Sequence, residues 1–167
     1  PLLAKRGYAL YEGDVCDSSF LSHVFGQNAF DCIIHLAASV GVRNSLMRPT
    51  LYRRNNVGGT RSLLDAAVKR AIPQFIFSSS SSVYGNNSPI PFREDAVVDG
   101  PLNPYAETKK EAESLCQTYH KKFGTPITIF RFFTVYGPKG RPDMSPYIFT
   151  DAILKGKKIT VFGDGSA

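Results

Sequence analysis

Tyr105 and Lys109 stand four residues apart in the segment "NPYAETKKEAE". On a helix that spacing puts both side chains on one face, one turn apart. A free tyrosine titrates at about 10 and is a poor base at neutral pH. A cation one turn away favours the phenolate. Bringing the phenol down by roughly 3 units takes about 4 kcal/mol, more than one partly exposed lysine supplies. A second positive charge beside it, an oxidised nicotinamide ring for example, makes the shift attainable. The pair alone is weak evidence, because Y-x-x-x-K recurs by accident. A second feature stands upstream. The apolar run "PQFIF" leads into five serines, Ser78 to Ser82, and then "VYG". Serines in a row look like linker, but here they end what reads as a core strand.

These residues need elements to hold them, and the chain alternates strand and helix. "YALYEGDV" reads as a short strand, and "SSFLSHVFG" as a helix capped by Ser18 or Ser19 and stopped at Gly26. "DCIIHLAA" is an apolar strand. Pro49 to Ala71 has a helical pattern with Leu63, Leu64, Ala67 and Val68 on one face. "QFIFSS" is a strand, and Tyr84 to Pro104 a loop. "YAETKKEAESLCQTYHKKF" is a long helix stopped at Gly124, with Tyr105, Lys109, Ala112, Cys116 and Tyr119 on one face. "PITIFRFF" is a strand, "SPYIFTDAIL" a helix and "KITVFG" a last strand. Apolar strands without strict alternation, separated by helices, predict an α/β fold: a doubly wound parallel sheet covered on both faces, in one domain. Ligands of such folds sit beyond the C-terminal strand ends. Asp14, "HLAAS", "SSSSSVYG" and "RFFTVYG" all fall at such ends.

Composition narrows the function. The net charge is +6 and the sequence pI about 9.3. The positives come in scattered pairs, Arg53-Arg54, Lys109-Lys110, Lys121-Lys122 and Lys157-Lys158. Such pairs read as solvated helix faces. With no zinc-finger or helix-turn-helix spacing, nucleic acid is not the expected partner. No apolar run reaches the roughly 18–20 residues of a membrane span. Cys16, Cys32 and Cys116 lack metal-ligand spacing and fit buried thiols in a reducing compartment, hence the cytoplasm, and no metal site is expected. His35, at the end of an apolar run, reads as a core or strand-end residue. A dinucleotide fold ordinarily begins with a Gly-rich turn between strand and helix. None is present, and the chain opens without Met, so an upstream strand, turn and helix are expected to be missing.

Six segments taken in order, "GDVCD", "HLAASVGVRNSLMRP", "NNVGGTRSLLDAA", "FIFSSSSSVYG", "NPYAETKKEAE" and "FRFFTVYGPKGRPDM", resemble the extended short-chain dehydrogenase/reductase superfamily. The likeness is to its NAD-dependent nucleotide-sugar epimerases and dehydratases, and it covers essentially the whole chain. It implies a Rossmann-like NAD-binding domain, with a C-terminal substrate region also outside this stretch. It implies that Asp14 and Val15 contact the adenine, and that Leu36, Ala37, Ala38 and Ser39 line the cofactor. It also puts Asn55 and Ser78 by the cofactor, with Phe133 offering backbone to the carboxamide. Tyr105 would be the base, Lys109 would bind the nicotinamide ribose, and Ser80 would hydrogen-bond the sugar O4. The reaction implied is oxidation at C4, rotation of the 4-keto sugar and reduction on its other face.

The serine run discriminates within the family. Dehydratases of this kind carry an acidic pair before "VYG", and UDP-glucuronate decarboxylases a Glu beside it. Ser81 and Ser82 occupy those positions and cannot act as carboxylic acids, which favours an epimerase. UDP-glucose 4-epimerases usually place Asn where this chain has Thr134. Thr134 followed by "VYGPKGRPDM" resembles the UDP-glucuronate 4-epimerases. Arg141 suits a carboxylate by bidentate hydrogen bonding, although a surface or diphosphate-binding arginine would look the same. UDP-glucose or UDP-N-acetylhexosamine epimerisation, dehydration and non-catalytic NAD binding are the competing readings. A homodimer through the 49–71 and 105–123 helices is a further implication. This stretch alone, without a Gly-rich turn, is expected to hold a pyrophosphate poorly.

Overall fold

The computed structural model describes residues 8–160 apart from 87 and 99. Its elements in order are α1 (Ser18–Gln27), β1 (Cys32–His35), α2 (Val42–Met47), α3 (Pro49–Tyr52), a π-helical segment (Arg53–Gly58), α4 (Gly59–Lys69), β2 (Gln74–Ser80), a 3-10 turn (Ser81–Tyr84), α5 (Pro104–Phe123), β3 (Ile127–Phe132) and α6 (Ser145–Leu154). The three strands form a parallel sheet in the order β1-β2-β3, a Rossmann-like arrangement. The chain divides after Phe132 into two compact units.

One face of the sheet carries the core. Ile33, Phe75 and Phe77 share it by register and are buried with Leu63 and Leu64 of α4 and Ala112 and Cys116 of α5. Leu21 and Phe25 of α1 complete the cluster. The opposite face is open among the described residues. Ile34 is 62% exposed, Phe130 46% and Phe132 44%. Among the described residues of the first unit, one layer of helices is packed on this sheet.

Four local readings are corrected. Tyr8–Gly13 is not a strand; extended chain becomes a strand only beside a partner, and none pairs with it among the described residues. The cap of α1 is Asp17, whose carboxylate accepts from the Ser19 and Phe20 amides, so the serines start the helix proper. The run from Pro49 is helical through Lys69, but its second and third turns widen to i→i−5 bonding. Of the last expected strand, 158–160 are not extended pairs, and the rest lies outside the described residues.

Candidate active site

Helix α5 starts where its sequence dictates. The Asn103 side chain accepts from the Ala106 amide at 3.0 Å, Pro104 takes the first turn, and Gly124 closes the helix in the left-handed region (φ 71°). That start puts Lys109 against the end of β2, with Tyr105 one turn earlier on the same helix. Lys109 is 4% exposed. Its Nζ donates to the Ser78 carbonyl at 2.7 Å and lies 5.0 Å from the centre of the Phe77 ring. Burial pulls its ammonium down to about 8, while Cys116 and Glu113 push the other way. Tyr105 is half-buried. Its ring meets Tyr52 edge-on at 6.4 Å, and the Tyr52 hydroxyl reaches the Val40 and Gly41 carbonyls (2.6 and 2.9 Å) in the loop beyond β1.

That loop is held by asparagines of the π-helical segment. Asn56 is buried. Its Oδ1 accepts from the Ser39 amide at 2.7 Å, and its Nδ2 donates to the Ser39 carbonyl at 3.1 Å and to Thr108 Oγ1 at 2.9 Å. One side chain thereby joins the loop after β1 to the first turns of α5. Asn55 donates to Ser39 Oγ at 2.9 Å. Leu36 and Ala37 are exposed, Ala38 and Ser39 partly so, leaving an open rim of small residues. Nearby, Thr60 donates its hydroxyl to the Asn56 carbonyl and so accepts from His35 Nε2 at 3.0 Å. This fixes the proton of His35 on Nε2. Its Nδ1 is buried without a hydrogen-bond partner among the described residues. Burial, then the Lys109 cation, lower His35 to about 4.

Asp14 lies apart from the Tyr–Lys pair. Its carboxylate accepts from the Cys16 amide and pairs with Arg54, and both lower its pKa, the amide more. Val15 packs on the core beside Gly59, where an added Cβ would lie 2.8 Å from Val15 Cγ2. Only glycine allows that approach.

The serine run splits in function. Ser79 shares the helix-covered face with Phe77 two residues earlier and donates to Glu113 of α5. Ser80 caps the 3-10 turn: its Oγ accepts from the Ser82 amide at 3.2 Å and donates to Ser82 Oγ at 3.1 Å. Ser81 and Ser82 are half-buried. Gly85 ends the turn at φ 62°, where a Cβ would sit 2.7 Å from the Gly100 carbonyl. Thus Lys109 meets Ser78 at one strand end, two residues before Ser80, while Tyr105 meets Tyr52, and Ser39, Asn55 and Asn56 join beyond the next strand. Two residues of these networks, Asn56 and Glu113, were missed by sequence reading. A polar residue inside a helix looks solvated, and only their spacing to apolar neighbours could have placed them inward.

Phe133, Thr134 and Arg141 belong to the second unit. Phe133 and Thr134 are exposed. Arg141 pairs with Asp143, its Nε at 3.0 Å from Oδ1. It also lines a cavity of about 260 Å³ with Tyr136, Met144 and Tyr147. Among the described residues no group of His, Cys, Asp and Glu could hold a metal, and no helix is long and apolar enough to cross a membrane.

A parallel sheet, small residues beyond β1 and a Tyr–Lys pair beyond β2 define the class, and residues 2–167 match the family model of the NAD dependent epimerase/dehydratase family. The chain belongs to that family. It is 43% identical over 165 residues to a UDP-glucuronate 4-epimerase of Thermodesulfobacterium geofontis, covering 99% of this chain and 51% of that one. Among solved structures it is similar to the UDP-glucuronic acid 4-epimerase of Bacillus cereus in complex with UDP-glucuronic acid and NAD. The TM-score is 0.81 with 41% identity, over 92% of this chain and 48% of that one. The UDP-glucose 4-epimerase of Thermotoga maritima gives a TM-score of 0.89 at 30% identity, over 96% and 53%. The chain spans about half the length of these three relatives.

Proposed function

We propose that the full-length protein is an NAD-dependent 4-epimerase of a UDP-sugar, converting UDP-glucuronate to UDP-galacturonate. The observation that carries this reading is the end of β2: serine hydroxyls without a carboxylate from Ser78 to Gly85, set against a buried Lys109 and a half-buried Tyr105. An elimination or a decarboxylation would call for an acid there. The likeness to UDP-glucuronate 4-epimerases supports the choice of sugar.

The residues fit a dinucleotide. Among the described residues Ser78 O is the one hydrogen-bond acceptor of Lys109, so two ammonium N–H groups remain for a vicinal diol such as a ribose. Leu36 to Ser39 offer an open rim of mostly small side chains, Asn55 and Phe133 would serve the nicotinamide end, and Asp14 and Val15 the adenine end. Bound NAD would supply the acceptor and later donor of the C4 hydride. Tyr105 takes the C4 hydroxyl proton and returns it. Lys109 orients the ribose, and its charge favours the phenolate. Ser80 holds O4. Ser81, Ser82, Thr134 and Arg141 hold the sugar carboxylate. A carboxylate beside a C4 ketone is a β-keto acid, and holding it out of line with the carbonyl π system suppresses loss of CO2.

The test supplies full-length protein and NAD with UDP-glucuronate, UDP-glucose and UDP-N-acetylglucosamine and follows C4 inversion by NMR. The expected result is inverted product from UDP-glucuronate and a loss of about 10³-fold or more in Tyr105→Phe. Inversion of none of the three would defeat the reading. Ser82→Ala or Thr134→Ala should raise the share of decarboxylated product. The same reading carries a homodimer through the 49–71 and 105–123 helices, checked by light scattering. It also carries a cytoplasmic setting, in keeping with three free thiols.

A further inference from the structure

Glu113 lies four residues beyond Lys109 on the inward face of α5 and is 3% exposed. Its Oε1 accepts from Ser79 Oγ of β2. Arg131 of β3 forks onto the same carboxylate, Nη2 to Oε2 at 2.8 Å and Nε to Oε1 at 3.1 Å. Ser79 and Arg131 are register partners, one rung before Ser80 and Phe132. One carboxylate thus hooks two adjacent strands to the catalytic helix just short of the site. Arg131 continues the contact outward. Its guanidinium carbon lies 4.9 Å from the centre of the Tyr84 ring, in the serine turn, and Nη1 donates to the Glu94 carbonyl at 3.3 Å. The hydrogen bonds that Arg131 donates to Glu113 raise the Arg131 pKa further.

A buried ion pair is poor value as a stabiliser, because desolvation of two charges offsets their attraction. Apolar side chains would hold these three elements as well. What they could not provide is a fixed charge one helical turn from Lys109. The charged and titratable groups that act on Lys109 are His35 from β1 and Glu113 and Cys116 on its own helix, with Tyr105 one turn before it. β2 contributes the Ser78 carbonyl and the Phe77 ring, and the π-helical segment and α4 the neutral Asn56 and Thr60.

We propose that Glu113 and Arg131 are positioning residues for the Tyr105–Lys109 face: together they seat α5 on the ends of β2 and β3, and each charge cancels the other's effect on the Lys109 ammonium in a dry site. The proposal rests on the epimerase reading for its consequence in turnover but not for its charge effect. Removing the carboxylate leaves Lys109 beside an unpaired guanidinium. Removing the guanidinium leaves it beside an unpaired carboxylate. The two variants therefore push Lys109 in opposite directions, which loss of mere packing does not.

The experiment is an NMR titration of the Lys109 side chain in full-length, lysine-labelled protein, assigned with Lys109→Met. Glu113→Gln should lower the midpoint by about one pH unit. Arg131→Met should raise it, and Glu113→Gln/Arg131→Met should return it to within about 0.3 units of the unsubstituted protein. In the turnover assay the basic limb of the kcat profile should move with the midpoint, and Glu113→Gln should lose about tenfold in kcat with KM within about twofold. Singles that shift the same way, or not at all, overturn the proposal. If Glu113→Gln does not fold, Arg131→Met against the double variant isolates the same carboxylate, and an equal midpoint in those two overturns it. Protein without epimerase activity but with opposed midpoints would refute the epimerase reading and leave the pair's charge role standing.

Discussion

The two faces of the β-sheet carry different kinds of side chain. The covered face presents Ile33, His35, Phe75, Phe77 and Ser79, all buried under helices. The other presents Ile34, Ile76, Phe130 and Phe132, apolar but largely open, with Phe130 and Phe132 stacked on each other at 5.6 Å. On the covered face apolar packing gives way, toward the C-terminal strand ends, to an ordered polar set: His35–Thr60–Asn56, Lys109–Ser78, Ser79–Glu113–Arg131. The difference shows where this half of the fold places its chemistry. Apart from His35 Nδ1, these interior polar groups each find a partner, and several of those pairings hold side chains of the candidate site. The open face is mostly hydrocarbon, with Thr128, Ser78 and Ser80 alternating into it by register.

Three measurements sharpen or break that contrast. The largest effect belongs to the covered face. Phe75, fully buried, should cost about 3–5 kcal/mol on truncation to alanine, read from urea unfolding of the 167-residue chain. A loss under about 1 kcal/mol would mean that this face is not the core. Next comes His35. Its unfolded imidazole titrates near 6.5 and its folded one at about 4. Between those values the unfolded state binds the proton and the folded state does not. Stability therefore falls as pH drops through this window, by up to about 3 kcal/mol. The pH dependence of unfolding in His35→Gln should lack that component, and an unchanged slope would place His35 in contact with water. The smallest effect is on the open face: Phe130→Ser should change stability by less than about 1 kcal/mol while raising the solubility of this chain. A loss comparable to that of Phe75→Ala would reveal a cover over this face.

Much of the fold was legible because its signals are local. β1, β2 and β3 were read from apolar runs, and α5 from Asn103, Pro104 and Gly124, which mark a start and a stop by their own chemistry. What the sequence hid is relational. Tyr8–Gly13 has the composition of a strand but no partner to pair with. α2 is six residues without a side-chain cap. The open face could not be foreseen, because a strand buried on one side and one buried on both look alike when every residue is apolar. In the site, the Tyr105–Lys109 spacing was visible, as was the hydroxyl cluster. The burial of Glu113 and the grip of Asn56 on Ser39 were not, since each depends on a group from another element arriving at the right place.

The widened helix at Arg53–Gly58 has a consequence for how this chain can change. A π turn stores an extra residue, and each residue of a helix turns its successors by about 100°. Here the residues before it set Tyr52 toward the loop beyond β1, those within it set Asn56 on Ser39, and those after it set Leu63 and Leu64 into the core. Deleting a single residue between 53 and 58 would restore ordinary helix geometry and yet rotate one of these groups away from its partner. The segment therefore tolerates substitution far more readily than any change of length. Its six positions act as a phase spacer between a helix end that faces the loop beyond β1 and a core-facing one.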